Sequence, residues 1–377
     1  MKIGIEAQRI FRKNKHGMDY VVLQEIIQLQ KTDHDNEYFV FVKPGPDRCV
    51  HDTDNVHVVE VDMPSYPLWE QVALPRAARK AGVELLHCTS NTAPVCCKLP
   101  LVLTLHDIIF LEPREGRSGS LYQNMGWIYR KTVVPKILDK CRRIITVSQF
   151  EKKNIMDKLG IAEERMAMIY NGYNEWFRPT DDPDHVCQKY IPQNGYIFFL
   201  GNTDPKKNTE RTLVAYAQYL EQSEVKRPLL MADLDRNYLD GIISRNGIEL
   251  IRDHLVLPGY IPNSDLCHIY NNAFAFLYPS LRESFGIPLL EAMACGTPVV
   301  TSNTSSMPEI GGPDAILVNP ENASEIAQKL LQLETDSDFY ERQRAIGLER
   351  VKLFSWEKTA SELLNLYKEV TSETRQG

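Results

Sequence analysis

Two glutamates, Glu283 and Glu291, stand eight positions apart around the short segment Phe285-Gly286-Ile287-Pro288. Pro288 has a fixed φ and no N–H to lose, which favours the first turn of a helix. The start of a helix attracts anions such as phosphate, and Gly286 lets a ligand approach the backbone closely. Glu291, one turn inside the helix, would accept both hydrogens of a vicinal diol such as that of ribose. The stretch therefore predicts a nucleotide diphosphate site, and the alternative is a capped amphipathic helix with solvated acids.

A second polar segment, Gly201-Asn202-Thr203-Asp204-Pro205-Lys206-Lys207-Asn208, follows a predicted strand at 196–200. It is neither a G-x-G-x-x-G fingerprint nor a Walker loop, which argues against a dinucleotide or ATP site here. It does place Lys206 and Lys207 before a predicted helix, and lysine is a compact charge that suits phosphate. The segment indicates a phosphate cation, with a solvated basic turn as the alternative.

Three further patterns carry candidate chemistry. His106 follows a predicted strand at 101–105, where it would hydrogen-bond a sugar hydroxyl, act as a base, or serve as a structural histidine. Ser148 and Glu151 form a capping box, which is a structural feature. The D-x-D pairs at 233–235 and 52–54 match a pattern that holds a divalent ion in one class of sugar transferases. That pattern recurs by chance, and the sequence predicts no metal site.

The elements that must position these residues alternate between short apolar runs and helical patterns. Parallel sheets with helical crossovers follow from that alternation, so the predicted class is α/β. The predicted strands are Ile3–Glu6, Tyr38–Val42, Val56–Val61, Leu85–Cys88, Leu101–Leu105, Arg143–Val147, Tyr196–Leu200, Leu229–Ala232, Leu255–Leu257, Ala273–Leu277, Val299–Thr301 and Ala315–Val318.

Twelve strands in 377 residues predict two domains. The Pro- and Asp-rich stretch 177–183 marks the seam. The predicted ranges are 1–178 for an N-terminal domain, 179–355 for a C-terminal domain, and 356–377 for a C-terminal amphipathic helix.

Composition excludes several classes of protein. A formal net charge of −7 gives no support to nucleic-acid binding. Eight scattered cysteines without a C-x-x-C pair indicate neither a metal site nor a disulfide framework. The start lacks the apolar core of a signal peptide, and no apolar run reaches the length of a membrane span. The predicted location is the cytoplasm, with peripheral contact at the inner face of the membrane left open.

Peripheral contact is left open because of the segment 122–143, which mixes aromatic and basic residues. It would rest on an anionic membrane surface, or it is an ordinary amphipathic helix with a solvated face.

Glu283-Ser-Phe-Gly-Ile-Pro-Leu-Leu-Glu291 resembles the E-x7-E signature of retaining glycosyltransferase family 4. The resemblance runs in order along nearly the whole chain, and the E-x7-E region is its most specific part. The other matching segments are Leu105-His-Asp107, Thr146-Val-Ser148, Tyr170-Asn-Gly172, Leu257-Pro-Gly-Tyr-Ile261, Tyr278-Pro-Ser280, Glu291-Ala-Met-Ala-Cys-Gly-Thr-Pro-Val-Val300, Met307-Pro-Glu-Ile310 and Phe354-Ser-Trp356. Bacterial members that build polysaccharides, often by transferring mannose or rhamnose, resemble this chain at Trp69-Glu-Gln71, His87 and Asn91.

The resemblance implies the GT-B fold, with two Rossmann-like domains facing across a deep cleft. It implies that the N-terminal domain, 1–178, binds the acceptor and that the C-terminal domain, 179–355, binds the nucleotide sugar. The C-terminal helix, 356–377, would cross back to the N-terminal domain. The resemblance also implies that a hexose, such as mannose, moves with retention from a nucleotide diphosphate sugar to a saccharide or lipid-linked acceptor. The donor would be GDP-mannose or a UDP-hexose, and no cofactor or metal is implied.

The same resemblance implies roles for single residues. Catalytic roles fall to His106, Glu283 and Lys207. Donor-binding roles fall to Gly17, Asn202, Lys206, Lys207, Ser284, Phe285, Gly286, Ile287 and Glu291.

Two departures from the family pattern concern the phosphate loop and the first loop. Many relatives carry an arginine where this chain has Asn202. Either Lys206 supplies that second positive charge for the donor phosphates, or the phosphate loop has only one cation. The first loop, 15–19, is shorter and less glycine-rich than in relatives. The resemblance therefore does not determine the acceptor side of the site. A nucleotide-sugar epimerase of the same architecture and a non-catalytic sugar-nucleotide-binding subunit are the rival hypotheses, and the oligomeric state is not predicted.

Overall fold

The computed structural model describes residues 1–112, 121–182 and 185–376. The chain forms two compact units. One comprises Met1–Gly172 together with Trp356–Gly377, and the other comprises Tyr173–Ser355. Pro183 of the predicted seam and Gly377 lie outside the described residues.

The first unit is a parallel sheet of seven strands, as far as the described residues go, in the order β3-β2-β1-β4-β5-β6-β7. Its strands are β1 Lys2–Glu6, β2 Glu37–Val42, β3 Val56–Glu60, β4 Leu85–Cys88, β5 Leu101–Thr104, β6 Cys141–Thr146 and β7 Met166–Met168. The helices are α1 Gly17–Thr32, α2 Tyr66–Leu68, α3 Leu74–Ala81, α4 Leu121–Ile137 and α5 Gln149–Leu159. A π-helical turn, Trp69–Ala73, joins α2 to α3.

The second unit repeats this architecture with six parallel strands in its described part, in the order β10-β9-β8-β11-β12-β13. The strands are β8 Tyr196–Phe199, β9 Leu229–Ala232, β10 Leu255–Gly259, β11 Ala273–Tyr278, β12 Val299–Ser302 and β13 Ile316–Val318. The helices are α6 Thr209–Gln222, α7 Arg236–Asn246, α8 Asn263–Asn272, α9 Ile287–Ala294, α10 Met307–Gly311, α11 Ala323–Thr335 and α12 Ser337–Arg350. Strands such as β8 and β11 are buried along their whole length, which explains their unbroken apolar sequences.

The last helix, α13 Trp356–Gln376, packs against α1 and so belongs to the first unit. Its Tyr367 hydroxyl lies 2.7 Å from Nδ1 of the buried His87 in β4. Thr359 donates a hydrogen bond of 2.6 Å to the carbonyl oxygen of Tyr170. These polar contacts, together with buried Leu363 and Val370, fix the helix to the core of the first unit.

All twelve predicted strands are present, and the predicted α/β class is confirmed. One strand, Met166–Met168, was not predicted, because three residues at the edge of a sheet give too short an apolar pattern. The single helix considered for 122–143 was wrong at its C-terminal end. The helix stops at Ile137, and Arg142 and Arg143 lie in β6. The side chain of Tyr122 lies outside the described residues.

No helix in the described parts of the chain is both long enough and apolar enough to cross a bilayer.

Candidate active site

The strand order of the second unit brings the two predicted charged segments together. β8 and β11 are neighbours in the sheet, and the chain leaves them toward opposite halves of it. Such a switch point is where open parallel sheets bind ligands, beyond the carboxyl ends of the strands. The loop with Lys207 follows β8, and the loop with Glu283 follows β11. Fold topology therefore places both segments at the same edge of the sheet.

Lys207 and Glu283 form an ion pair at this edge. The Nζ atom of Lys207 lies 2.6 Å from Oε1 of Glu283 and 3.2 Å from the hydroxyl of Tyr278. The side chains of Lys207 and Glu283 are 18% and 13% exposed, so the pair is largely shielded from water. Tyr278 is the last residue of β11. The pKa of the Tyr278 hydroxyl is raised, mainly by burial and then by the negative charge of Glu283.

The backbone around Glu283 is held by two serines that follow β12. The N–H of Glu283 donates to Oγ of Ser305 at 3.1 Å. The hydroxyl of Ser306 lies 3.0 Å from the carbonyl oxygen of Glu283 and 3.1 Å from that of Phe285. Two carbonyl groups and one N–H of the loop are thus anchored, which fixes the direction of the Glu283 side chain.

The helix predicted to start at Pro288 is α9, with Gly286 as its N-cap and proline in its first turn. Gly286 has φ +101°, and an added Cβ would lie 2.5 Å from Cε of Met307. A side chain at 286 would therefore be strained in its backbone conformation and would displace the end of the Met307 side chain. Phe285 is buried and makes an edge contact with Phe354, with ring centroids 5.9 Å apart. Pro288 has no N–H, and the N–H of Leu289 donates to the carbonyl oxygen of Gly286 at 3.0 Å. The partial positive charge at the start of a helix still favours an anion here.

Glu291 lies on α9, is partly exposed, and accepts a hydrogen bond of 3.4 Å from the hydroxyl of Tyr270. Burial raises the pKa of Glu291 to about 7, although the hydrogen bond from Tyr270 opposes the shift. The carboxyl group is thus poised to change its charge near neutral pH, and its ionised form is the one that would accept two hydroxyl groups.

The loop after β8 has a different construction from the one around Glu283. Asp204 caps a 3₁₀ turn, Pro205–Lys207, by accepting from the N–H of Lys206. Asn202 accepts a hydrogen bond of 2.8 Å from the N–H of Asp204. Lys206 is more exposed than Lys207, and its Nζ lies 3.5 Å from Asp204. The structure therefore separates the two lysines: Lys207 points to Glu283, and Lys206 pairs within its own loop.

Asn208 joins this loop to two others. Its side-chain nitrogen lies 2.9 Å from the carbonyl oxygen of Pro279 and 2.7 Å from that of Pro320. Asn208 is buried and adopts a left-handed φ of +61° before α6 begins. The sequence analysis did not single out Asn208, Tyr270, Ser305 or Ser306, because their roles depend on which loops the fold brings together. Tyr278 was within reach of the analysis, because it directly follows the predicted strand Ala273–Leu277.

In the first unit, His106 follows β5 and is buried. Its Nε2 lies 3.0 Å from the carbonyl oxygen of Thr89, which can only accept, so Nε2 carries the proton and Nδ1 the lone pair. Burial lowers the pKa of His106. The N–H of His106 donates to Oδ1 of Asn91, which has a left-handed φ of +66°. His106 is thus a neutral imidazole in a fixed tautomer.

Gly17 is the first residue of α1, and no atom lies within 4 Å of a Cβ built on it. In the same turn, the buried Asp19 accepts a hydrogen bond from the N–H of His16 at 3.0 Å and lies 2.7 Å from Nε of Arg9.

His87 has a structural role. Both its ring nitrogens are engaged in hydrogen bonds, one with Tyr367 and one with Thr104, and burial lowers the pKa of His87 to about 3.

The remaining sequence patterns have structural roles. Ser148 caps α5 by accepting from the N–H of Glu151, as predicted. Asp235 caps α7, and Asp52 accepts from the N–H of Val58, so an acid of each D-x-D pair is engaged by backbone. Among the described residues there is no group of three or more His, Cys, Asp or Glu side chains arranged to hold a metal ion.

Two family models match this chain. Residues 188–350 match Glycosyl transferases group 1, and residues 16–176 match Glycosyltransferase Family 4. O-antigen chain mannosyltransferase B of Escherichia coli is 31% identical over 272 residues, which are 71% of this chain and 70% of that protein. Serotype-specific mannosyltransferase WbdA of Escherichia coli is 29% identical over 265 residues, 69% of this chain but only 32% of that protein. The chain thus spans about a third of WbdA.

The structure of Anabaena HepE in complex with UDP matches 98% of this chain and 100% of that chain, with a TM-score of 0.73 and 17% identity. At that identity the likeness concerns the fold, and it confirms the predicted GT-B class.

Proposed function

We propose, from the premise that this chain belongs to the family 4 glycosyltransferases, that it transfers mannose with retention from GDP-mannose to a saccharide or lipid-linked acceptor. The names of the two Escherichia coli relatives support mannose as the sugar and a cell-surface polysaccharide as the product. UDP-hexoses are the second donors to test, because HepE was solved with UDP. The activity itself, glycosyl transfer, follows from the family.

The observation that carries this proposal is the pairing of Lys207 with Glu283 at 2.6 Å, at the switch point of the second sheet and beside the start of α9. A cation for diphosphate and an acid for sugar hydroxyls then stand side by side, as a nucleotide sugar requires. Glu291, one turn inside α9, would supply the acceptor for the ribose diol. A solvated basic turn would not hold its lysine against a second loop with both side chains largely buried.

The reaction breaks the bond between C1 of the sugar and an oxygen of the β-phosphate, and the bonding electrons leave with the phosphate. A hydroxyl oxygen of the acceptor forms the new bond to C1, and its proton passes to the departing phosphate on the same face. Negative charge therefore grows on the diphosphate in the transition state. Lys207 and the N-terminus of α9 would stabilise that growing charge more than the ground state, which is what accelerates the step. In this proposal the lysine and the helix supply the positive charge, so the reaction is metal-independent.

Binding of the donor would exchange partners within the ion pair. In the free protein Lys207 neutralises Glu283. When the diphosphate takes over Lys207, Glu283 becomes free to accept hydrogen bonds from the hydroxyls of the donor sugar. Lys206, Asn202 and the backbone of residues 284–287 would complete the donor site. Glu283 has no role as a covalent nucleophile in this scheme.

For His106 we propose a hydrogen bond from a hydroxyl of the donor sugar to Nδ1. The contact of Nε2 with Thr89 leaves Nδ1 as the acceptor, and the lowered pKa keeps the ring neutral at pH 7. A neutral acceptor positions the sugar without adding a positive charge beside the oxocarbenium-like centre. Gly17 would allow the donor diphosphate or the acceptor to approach the start of α1.

The test is a transfer assay with GDP-mannose and UDP-hexoses, using a mannose oligosaccharide acceptor, detection by mass spectrometry and assignment of the new anomeric centre by NMR. We expect an α-linked product from GDP-mannose, unaffected by EDTA. Glu283→Gln should abolish transfer, whereas Lys352→Ala, which removes a matched but exposed ion pair with Glu349, should not.

Three results would overturn the proposal in different ways. Conversion of the donor sugar without acceptor would indicate an epimerase. Binding of the donor without turnover on any acceptor would indicate a non-catalytic subunit. A β-linked product would contradict retention.

A further inference from the structure

Helices α8 and α9 of the second unit are connected by two contacts between facing side chains. The first is the hydrogen bond of 3.4 Å from the Tyr270 hydroxyl to the Glu291 carboxyl group. The second joins two cysteines, because Sγ of Cys267 lies 4.0 Å from Sγ of Cys295. Cys267 precedes Tyr270 by three residues on α8, and Cys295 follows Glu291 by four residues at the end of α9. Helical spacing therefore aligns the two contacts, and the thiol pair lies beside the acid that is predicted to bind ribose.

The two thiols are buried and face each other. Cys267 and Cys295 are 6% and 4% exposed. Sγ of Cys295 lies 3.8 Å from the carbonyl oxygen of Cys267, in addition to its contact with the sulfur atom. A hydrogen bond from Cys295 lowers the pKa of the Cys267 thiol, although burial opposes the shift. Cys267 is therefore the more nucleophilic thiol of the pair, since the thiolate is the form that reacts.

A single irregular segment, 174–178, covers Cys267. The thiol of Cys267 donates a hydrogen bond of 3.1 Å to the carbonyl oxygen of Trp176. The side chain of Asn271 on α8 donates to the carbonyl oxygen of Arg178 at 2.9 Å. Trp176 and Arg178 are exposed, and the segment is neither helix nor strand. Local opening of such a cover requires few contacts to break, so a molecule as small as hydrogen peroxide would reach Cys267.

We propose that Cys267 and Cys295 form a redox modification site, where hydrogen peroxide converts the two thiols to a disulfide that fastens α8 to α9. The thiolate of Cys267 attacks one oxygen of the peroxide, which gives a sulfenic acid and a hydroxide that takes up the proton from Cys267. The sulfur of Cys295 then attacks Sγ of Cys267, and the sulfenic oxygen leaves as water with the proton from Cys295. The two sulfur atoms lose two electrons in total, and one peroxide becomes two molecules of water.

The disulfide would change the position of Glu291. An S–S bond is about 2.05 Å long, so its formation brings the two sulfur atoms about 2 Å closer than they are as thiols. Because the interior is closely packed, α8 and α9 share this shift, which draws Tyr270 toward Glu291. A carboxyl group held more tightly by Tyr270 presents one oxygen fewer to a ribose diol. The oxidised protein should therefore bind the donor about tenfold more weakly, which corresponds to one hydrogen bond to a charged group. This effect rests on the proposed function, whereas the disulfide itself does not.

Peptide mapping after brief treatment with hydrogen peroxide tests the disulfide. Trypsin cuts at Arg282, between the two cysteines, so the disulfide would link two separate peptides. We expect this linked species, lighter by two hydrogen atoms than its reduced parts, and its loss with dithiothreitol. Cys187 is the internal control, because it is buried in the same unit but its Sγ lies 3.0 Å from the carbonyl oxygen of His268. It should remain a free thiol that N-ethylmaleimide labels after unfolding. A peroxide-treated protein without the Cys267–Cys295 link would overturn the proposal.

Isothermal titration with GDP-mannose tests the effect on the donor. Peroxide should raise the Kd of the wild type about tenfold, and dithiothreitol should restore it. Cys267→Ser and Cys295→Ser should each keep the same Kd before and after peroxide, whereas Cys187→Ser should respond like the wild type. Thermal midpoints show which variants are folded, and either of the two single variants is sufficient.

The outcomes separate this inference from the proposed function. An unchanged Kd in wild-type protein that carries the mapped disulfide would refute the link between the disulfide and the donor site. The same loss of affinity in a folded Cys267→Ser would show that peroxide acts elsewhere. Absence of GDP-mannose binding by the reduced wild type would refute the donor assignment instead, and the peptide map alone would then decide on the disulfide.

Discussion

The raised pKa of Glu291 makes donor affinity depend on pH in a defined direction. Burial raises this pKa to about 7, so roughly a tenth of the carboxyl groups are ionised near pH 6 and nine-tenths near pH 8. The ribose diol donates hydrogen bonds, so the donor selects the ionised form. We therefore predict that the dissociation constant for GDP-mannose falls about tenfold from pH 6 to pH 8, which is about 1.4 kcal/mol.

Isothermal titration with intact GDP-mannose between pH 6 and pH 8 is the assay. The intact nucleotide sugar is needed because the terminal phosphate of a free diphosphate titrates near pH 6, as other phosphate monoesters do. Glu291→Gln is the matched variant, because it keeps the shape of the side chain and removes its titration. Its affinity should be independent of pH and, at pH 8, weaker than that of the wild type.

Two results would refute this reasoning. A flat pH profile of the wild type would show that ionisation of Glu291 is not linked to donor binding. The same slope in the wild type and in Glu291→Gln would show that another group produces it.

Three more predictions follow from single contacts. Lys207→Ala should lower kcat by about 10²–10³ with a smaller change in KM, because its charge acts on the leaving diphosphate; steady-state kinetics in which only KM changes would contradict this. Gly286→Ala should lower the free energy of unfolding by about 1–3 kcal/mol, because φ is +101° and Met307 is 2.5 Å from the added Cβ. Gly17→Ala should leave the free energy of unfolding nearly unchanged, because the space around a Cβ at 17 is open. Equal losses for the two variants in urea denaturation would contradict this prediction. Glu25 in α1 is buried, and burial raises its pKa to about 8, so the unfolded chain ionises this group at lower pH than the folded one. Folding therefore loses stability progressively between about pH 4.5 and pH 8. Glu25→Gln should raise the free energy of unfolding near pH 8.5 by on the order of 2–4 kcal/mol and have little effect near pH 4.5; equal effects at both pH values would be inconsistent with the shift.

The fold was largely predictable because buried parallel strands have unbroken apolar sequences. β8 and β11, for example, are buried at every position and stand out between polar loops. A short strand at the sheet edge and the boundary between a helix and a strand were harder to predict. β7 has only three residues, and β6 begins with Cys141-Arg142-Arg143, where an exposed arginine continues the basic character of the preceding helix. Hydrophobic periodicity does not distinguish a helix from a strand in such short segments.

The candidate site was predictable in its parts but not in its contacts. The positions of Lys207 and Glu283 after strands follow from sequence, since parallel strands end at a common edge. Their pairing depends on β8 lying beside β11, and sequence alone does not specify the order of strands. The same holds for the buried carboxyl of Glu70, whose partners Thr92 and Tyr129 come from distant segments of the chain. Contacts between distant segments are properties of the fold and not of local pattern.

The most direct test of the nucleotide-sugar site in the second unit is a thermal-shift screen of UDP, GDP, ADP, dTDP and CDP, with and without EDTA. A ligand that binds only the native state raises the melting temperature by linkage. We predict that GDP raises it in the wild type equally with and without EDTA, and that the shift is lost in Glu291→Ala. No shift from any nucleotide, or a GDP shift that Glu291→Ala retains in full, would contradict the assignment of the site.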